Sequence, residues 1–404
     1  MSRAGLWWVC GALVAAYGTA PSLLAGCTSD QFIPMPDGGL DSGVDSAGPT
    51  DGSLSDAPQV TCDGGLASCN GQCVDTSTDP NNCGGCNVVC NTQCTGGTCQ
   101  LIGGGCDASV PPVGDFACIA VDATNVYWGT GQVASSGGAV WKVPINGGCP
   151  TILIGSQDRP HGIATDGTNV YYANYGASSN IGAIYSIPVA GGSPTPLALT
   201  QASPLDVAVD GTNVYWTDSG DGSVWKSNKS GTPTPVKLAN GAGQGHAQYL
   251  RVDAANVYFT DHSSGVVNRV PIAGGSVTAM TTTGISGVGH LAIDAQNVYF
   301  GSNGPPATIQ TVGLTQTNTA PSQVLGGIAS IAGIATDATN LWFAVPTNVQ
   351  PWQANTGEIH RATVAGKNDV TLSSKQNGPD CVVVDATSVY WIDTGGGMIA
   401  KTAK

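Results

Sequence analysis

VDATNVYWGT from Val121, TDGTNVYYAN from Thr165, VDGTNVYWTD from Val209, VDAANVYFTD from Val252, IDAQNVYFGS from Ile293, TDATNLWFAV from Thr336 and VDATSVYWID from Val384 are seven versions of one phrase. Their aspartates, Asp122, Asp166, Asp210, Asp253, Asp294, Asp337 and Asp385, recur at intervals of 41 (Asp253 to Asp294) to 48 residues (Asp337 to Asp385). A period of that length suits one four-stranded propeller blade. Each unit reads as four short strands. An apolar one ends in Asp (CIAVD, GIATD, DVAVD), and a β-branched and aromatic one follows (NVYW). A third comes after a Gly (GGAVWKVP, GAIYSIP, GSVWKSN, GVVNRVP, GEIHRAT), and a fourth after Gly-Gly or Ser-Gly (TILIG, TPLAL, PVKLA). Alternation and turn residues agree with strands throughout.

The expected fold is therefore all-β: a seven-bladed β-propeller of four-stranded antiparallel blades over residues 100–404. The blades fall near 116–158, 159–202, 203–244, 245–286, 287–330, 331–378 and 379–404. The last unit reaches only its third strand, MIAKTAK. A closing strand near 100–103, around Gln100, Leu101 and Ile102, is expected to complete it and cover the open edge. Tyr215-Trp216-Thr217-Asp218 and the GSVWKSNKSG that follows resemble the YWTD repeat of LDL-receptor-like propellers. That resemblance spans about 300 residues and implies the fold more than any activity; those relatives commonly have six blades.

Composition supports a β-rich, loop-rich chain. It has 58 Gly, 24 Pro and 10% charged residues, and 26 of its 27 acids are aspartate, Glu358 being the exception. Aspartate favours turns and glutamate favours helices, so helix should be scarce. No Lys or Arg lies between Arg3 and Lys142, and the net charge is −14. Nucleic-acid binding, which needs a basic footprint, is not expected.

Arg3, the apolar run Leu6 to Ala20 and the sequence Leu24-Ala25-Gly26-Cys27 resemble a bacterial lipoprotein signal ending at a lipobox. The resemblance implies a signal peptide over 1–26, lipidation of Cys27 and a membrane anchor there. Thr28 and Ser29 replace the aspartate that marks inner-membrane retention, which implies the outer membrane of the cell envelope. Residues 27–60, rich in Gly, Ser and Asp, read as a disordered acidic linker.

Eight cysteines lie between Cys62 and Cys99. In an exported segment of 61–99 with almost no aliphatic core they read as a small disulfide-rich module. Cys83-Gly84-Gly85-Cys86 has zinc-ligand spacing, but the segment holds no histidine. CVDTSTDPNNCGGCNVVC, from Cys73 to Cys90, resembles Cys-rich modules of secreted myxobacterial proteins related to plant stigma-specific proteins, and implies a module without an activity. Cys118 and Cys381 each stand four residues before their unit's aspartate, at equivalent sites in the first and last blades. A Cys118–Cys381 disulfide across the seam is expected, with Cys106 to Cys149 by elimination, among three possible pairings.

The seven repeat aspartates read as hairpin-turn residues that accept backbone N–H groups, beside an Asn that tolerates positive φ. The repeated Tyr and Trp read as blade-to-blade core. Function is expected where the repeats disagree. The segments entering the first strands vary: Asp158, Arg159 and His161; Asp206; His246, Gln248 and Tyr249; His290; and Asp380. The blade-six link adds Trp352. All should ring one mouth of the central channel, opposite a scaffold face of uniform turns. The favoured reading is recognition of a protein, glycan or small ligand through Asp158, Arg159, Tyr249, Trp352 and Asp380, by a monomer needing no cofactor. The alternative is an enzyme in which His161, Asp206 and His290 bind a divalent metal or act as acid and base. HGIATD and its counterparts resemble strands of virginiamycin B lyase and the gluconolactonases, although no intact signature of either is present.

Overall fold

The computed structural model describes residues 118–404 apart from 133–134, 177–180, 241–245, 283, 347–355 and 395–397. In the cysteine-rich stretch it describes 62, 66–69, 72–75, 78, 94–95 and 98–99. The signal and linker segments, Cys27, Cys106, Trp352 and the closing strand near 100–103 lie outside the described residues.

Each repeat phrase is a strand, a tight turn and a second strand. In the first, the carbonyl of Asn125 accepts the Asp122 N–H at 3.0 Å. Asp122 Oδ1 accepts the N–H groups of Thr124 and Asn125, and Oδ2 accepts the Tyr127 hydroxyl at 2.7 Å. The same Asp-to-Tyr bond recurs at Asp166–Tyr171, Asp210–Tyr215, Asp253–Tyr258, Asp294–Tyr299 and Asp385–Tyr390. Blade six has Trp342 where the others have Tyr, and there the Lys404 ammonium takes Asp337 Oδ2 at 3.0 Å and lies over the Trp342 ring. The aspartates are thus turn residues, as read from the sequence. The asparagines are not in the positive-φ region as expected; Gly167 and Ala338 hold that conformation in blades two and six.

Seven antiparallel sheets result. Six have four strands in sequence order and the last, Pro379–Val384, Ser388–Asp393 and Met398–Ala403, has three among the described residues. Successive side chains of a strand face opposite neighbours. Val126 and Trp128 therefore pack with Tyr390, Ile392 and Cys381 of blade seven, while Tyr127 packs with Ile163, Val170 and Tyr172 of blade two. Five further clusters repeat this between blades two and three, three and four, four and five, five and six, and six and seven. The core is a ring of seven interfaces, and the cluster shared by blades one and seven closes it. The sequence-derived all-β, seven-bladed architecture is the observed one.

The cysteine-rich stretch shows two small hairpins, Ala67–Cys69 with Gln72–Val74 and Cys94–Thr95 with Thr98–Cys99. A Cys62–Cys73 disulfide with a Cα separation of 5.4 Å joins it to itself. Among the described residues no helix is long and apolar enough to cross a membrane.

Candidate functional site

The inner strand of each blade runs along the central axis, and its residues alternate between the blade interior and the channel. Three residues before the repeat aspartate stand Ile119, Ile163, Val207, Leu250, Leu291, Ile334 and Val382, all buried in the interfaces. Four before it stand Cys118, Gly162, Asp206, Tyr249, His290, Gly333 and Cys381, a column as varied as its neighbour is uniform. In blades two, three, four, five and seven the pairing with the second strand slips at this level. Such a bulge re-aims side chains, which is how two successive residues, His161 with Gly162 or Asp380 with Cys381, both come to face the axis. Gly162 and Gly333 are needed for the fit: a Cβ on either would sit 2.5 to 2.6 Å from backbone atoms of the next blade.

These residues enclose a chamber of about 20 Å³, lined by Cys118, His161, Gly162, Leu205, Asp206, Tyr249, His290, Asp380 and Cys381. That is room for about one water molecule. His161, Asp206, Tyr249, His290 and Asp380 are thus brought together as the sequence reading placed them. Arg159 is not: its guanidinium donates to the Gly176 carbonyl and lies 4.6 Å from the Tyr175 ring centroid. Asp158 offers its carbonyl to the Gly176 N–H, and His246 Nδ1 lies 2.8 Å from the Ser219 carbonyl oxygen. Trp352 lies outside the described residues.

Cys118 and Cys381 are joined in a disulfide with a Cα separation of 5.3 Å, so the seam between the first and last blades opens onto the chamber. Cys149 is also disulfide-bonded, to a partner outside the described residues. His290 Nε2 lies 3.7 Å from Cys118 Sγ, and its ring is 3.7 Å from that of Tyr249. Among the described residues, Cys118, His290 and Cys381 are the group of three whose possible ligand atoms all fall within 4.8 Å of one another. His161, Asp206 and His290, the metal set considered from the sequence, do not form such a group.

Asp206 has a different task. Its Oδ2 accepts the Leu250 N–H at 2.9 Å and faces Arg251 Nη1 at 3.4 Å, while Oδ1 accepts the Val207 N–H. It bolts blade three to blade four. Burial pushes its carboxyl up, against the pull of Arg251 and the Leu250 and Val207 N–H groups. Burial also raises Asp380, to about 6, with the Cys381 N–H opposing. Burial lowers His161 to about 4, helped by the Arg159 charge, and lowers His290 to about 3, helped by Arg251 and His161. Burial, then Asp380 and Asp206, raises the Tyr249 phenol. At neutral pH both imidazoles are uncharged, and Asp380 is the chamber group that titrates near pH 6.

Arg251 is the residue the sequence reading missed. Two before the repeat aspartate the chain has Ala120, Ala164, Ala208, Arg251, Ala292, Ala335 and Val383, so the arginine is conspicuous once that column is written out. It also borders a second cavity of about 220 Å³, lined by Ala292, Ile293, Ile334, Ala335, Thr336 and Val382–Val384, toward the turn end of the channel. The turn end is therefore not the featureless scaffold expected.

Residues 50–102 match the stigma-specific STIG1-like protein family. No curated protein sequence matches the chain significantly. Among solved structures, a streptogramin B lyase aligns with a TM-score of 0.58 at 14% identity, over 74% of this chain and 96% of that one. A catalytically inactive histidine-to-alanine variant of virginiamycin B lyase from Staphylococcus aureus, with quinupristin, aligns at 0.55 and 15% identity over 70% and 93%. The computationally designed Ika8 protein aligns at 0.53 and 14% identity over 78% and 89%. At these identities the likeness is one of fold: the chain carries a propeller similar in architecture to two lyases and a designed protein, preceded by a stretch similar to the stigma-specific family.

Proposed function

We propose that the protein is an exported recognition module, lipid-anchored at Cys27 in the outer membrane, that binds a protein or glycan across the irregular mouth of its propeller. The observation that carries this is the gathering of the most varied positions of the repeat, His161, Asp206, Tyr249, His290 and Asp380, around one chamber of the channel. Size then favours surface recognition over an enclosed pocket. Small-molecule sites run to about 300–1,000 Å³, and the chamber holds about 20 Å³. A ligand therefore seats on the rim and presents no more than a small group to the chamber. We read the repeat as YWTD-like, the protein as monomeric, and binding as independent of any cofactor.

The test is capture from envelope and culture-medium extracts, and on a glycan array, with the wild-type protein and a His161→Ala/Asp380→Asn variant of unchanged fold. Material retained by the wild type and lost by the variant supports the reading; equal retention refutes it. Labelling with a radioactive fatty acid, abolished by Cys27→Ser, tests the anchor.

An enzymatic reading has one specific observation on its side: two imidazoles and the Asp380 carboxyl line the same chamber, where burial favours the uncharged form of each. Such groups suit proton transfer at neutral pH. Turnover of a captured ligand, lost in His161→Ala and His290→Ala with binding retained, would favour it over recognition alone.

A further inference from the structure

We propose that Cys118, Cys381 and His290 form a latent Zn²⁺ site that becomes available when the disulfide joining the two cysteines is reduced. The inference is independent of what binds at the mouth. Three side chains from one level of three inner strands place their possible ligand atoms within 4.8 Å of one another. Zn–S bonds of about 2.3 Å and a Zn–N bond of about 2.0–2.1 Å in a tetrahedron put ligand atoms roughly 3.5–3.8 Å apart. The Cys118 Sγ to His290 Nε2 distance is already 3.7 Å. The sulfurs must part by about 1.5 Å from bonding distance to that range. A Cα separation of 5.3 Å leaves room for this by side-chain rotation.

The surroundings suit a metal as well as a staple. The Tyr249 ring lies against the His290 ring at 3.7 Å and restricts its rotation. The adjoining chamber, about 20 Å³, has room for a water as fourth ligand. Cys118 and His290 are half-buried and both line the chamber. A bridge serving only to close the seam needs neither an imidazole at its sulfur nor a chamber beside it.

The chemistry balances with a small dithiol as reductant. It transfers two electrons and two protons to the Cys118–Cys381 bond and becomes a disulfide itself. Zn²⁺ then displaces both thiol protons, and His290 Nε2 contributes its lone pair. Reoxidation would expel the ion, so the site is closed under oxidising conditions and open under reducing ones.

The test uses the full chain and Co²⁺ as a spectroscopic substitute for Zn²⁺, before and after treatment with a small dithiol that is then removed. The reduced wild type should show thiolate-to-cobalt absorption and bind one equivalent more than a Cys118→Ser/Cys381→Ser variant treated alike. Zn²⁺ should displace that equivalent. His290→Ala, which retains both cysteines and reads the site even if the serine variant fails to fold, should bind it at least about tenfold more weakly. Equal uptake by the wild type and the serine variant, or unchanged affinity in His290→Ala, would overturn the proposal.

Discussion

Asp380 shows how much one position can be asked to do. It sits one residue before the bulge in blade seven, with the Cys381 N–H as its hydrogen-bond donor. Burial holds its carboxyl at about 6. A carboxyl raised in the folded state supports folding while protonated. Its contribution is fully present below about pH 4, where the unfolded chain is also protonated, and is lost as pH rises through about 6. Asp380→Asn, which keeps the shape without the charge, should therefore gain on the wild type as pH rises from 4 to 7, by up to about 3 kcal/mol. Urea unfolding of both proteins across that range checks it, and a constant difference would show the carboxyl to be unperturbed. This residue was legible in the sequence because its column, five before the aspartate, varies throughout: Ala117, His161, Leu205, Gln248, Gly289, Ala332 and Asp380. Arg251 breaks a column otherwise of Ala and Val, but it does so two residues before the aspartate, close to the turns, where the repeats were expected to be uniform. Arg159 was placed at the mouth by its neighbours in sequence, yet its positive φ of 53° and the Tyr175 ring carry its side chain elsewhere.

Between elements, outer strands rivet blade one to two, two to three and six to seven. Gln157, Gln201 and Gln376 end the fourth strands of blades one, two and six, each preceded by a left-handed residue, Ser156, Thr200 or Lys375. Their side-chain oxygens accept from Tyr172, Trp216 and Trp391 of the following blade at 2.9 to 3.0 Å. Blade five ends its fourth strand in Ile328, and blade six has Phe343 at the position of Tyr172, Trp216 and Trp391, so that pair is apolar. Gln376→Ala should leave the buried Trp391 indole N–H without its acceptor and cost about 1–3 kcal/mol of stability. Thermal or urea unfolding would show it, and unchanged stability would mean that the bond contributes nothing net. Trp128 of blade one, six residues after its aspartate, has a buried indole N–H without a partner among the described residues. The blades and their strand order were readable from period and alternation. The rivets were not, because they depend on a bulge and a left-handed residue that repeat too loosely to stand out.

For the whole molecule, closure is the property that makes a ring from seven units that could otherwise stack open. The seam between blades seven and one is held by an apolar cluster, by the Lys401 ammonium donating to the Ile145 carbonyl, and by the Cys118–Cys381 disulfide. That bridge spans 263 residues of chain. Constraint of so long a loop in the unfolded state is worth about 2–4 kcal/mol in typical cases, so Cys118→Ala/Cys381→Ala should lose stability by that amount while keeping its β-sheet circular dichroism. Unchanged stability would mean that apolar packing alone shuts the ring. The disulfide pairing could be read from equivalent positions in first and last repeats. Its exposure to the chamber, beside His290, required the bulges that turn that level of the inner strands toward the axis.

The claim on which the account rests is that the level of the channel where the repeats differ is the surface used for recognition. Hydrogen–deuterium exchange of the protein with and without its captured ligand tests this most directly. Protection should appear in residues 158–163, 203–207, 246–251, 287–291 and 378–382, and be absent from the turns that follow Asp122, Asp166, Asp210, Asp253, Asp294, Asp337 and Asp385. Protection of those turns, with the five segments unchanged, would contradict it.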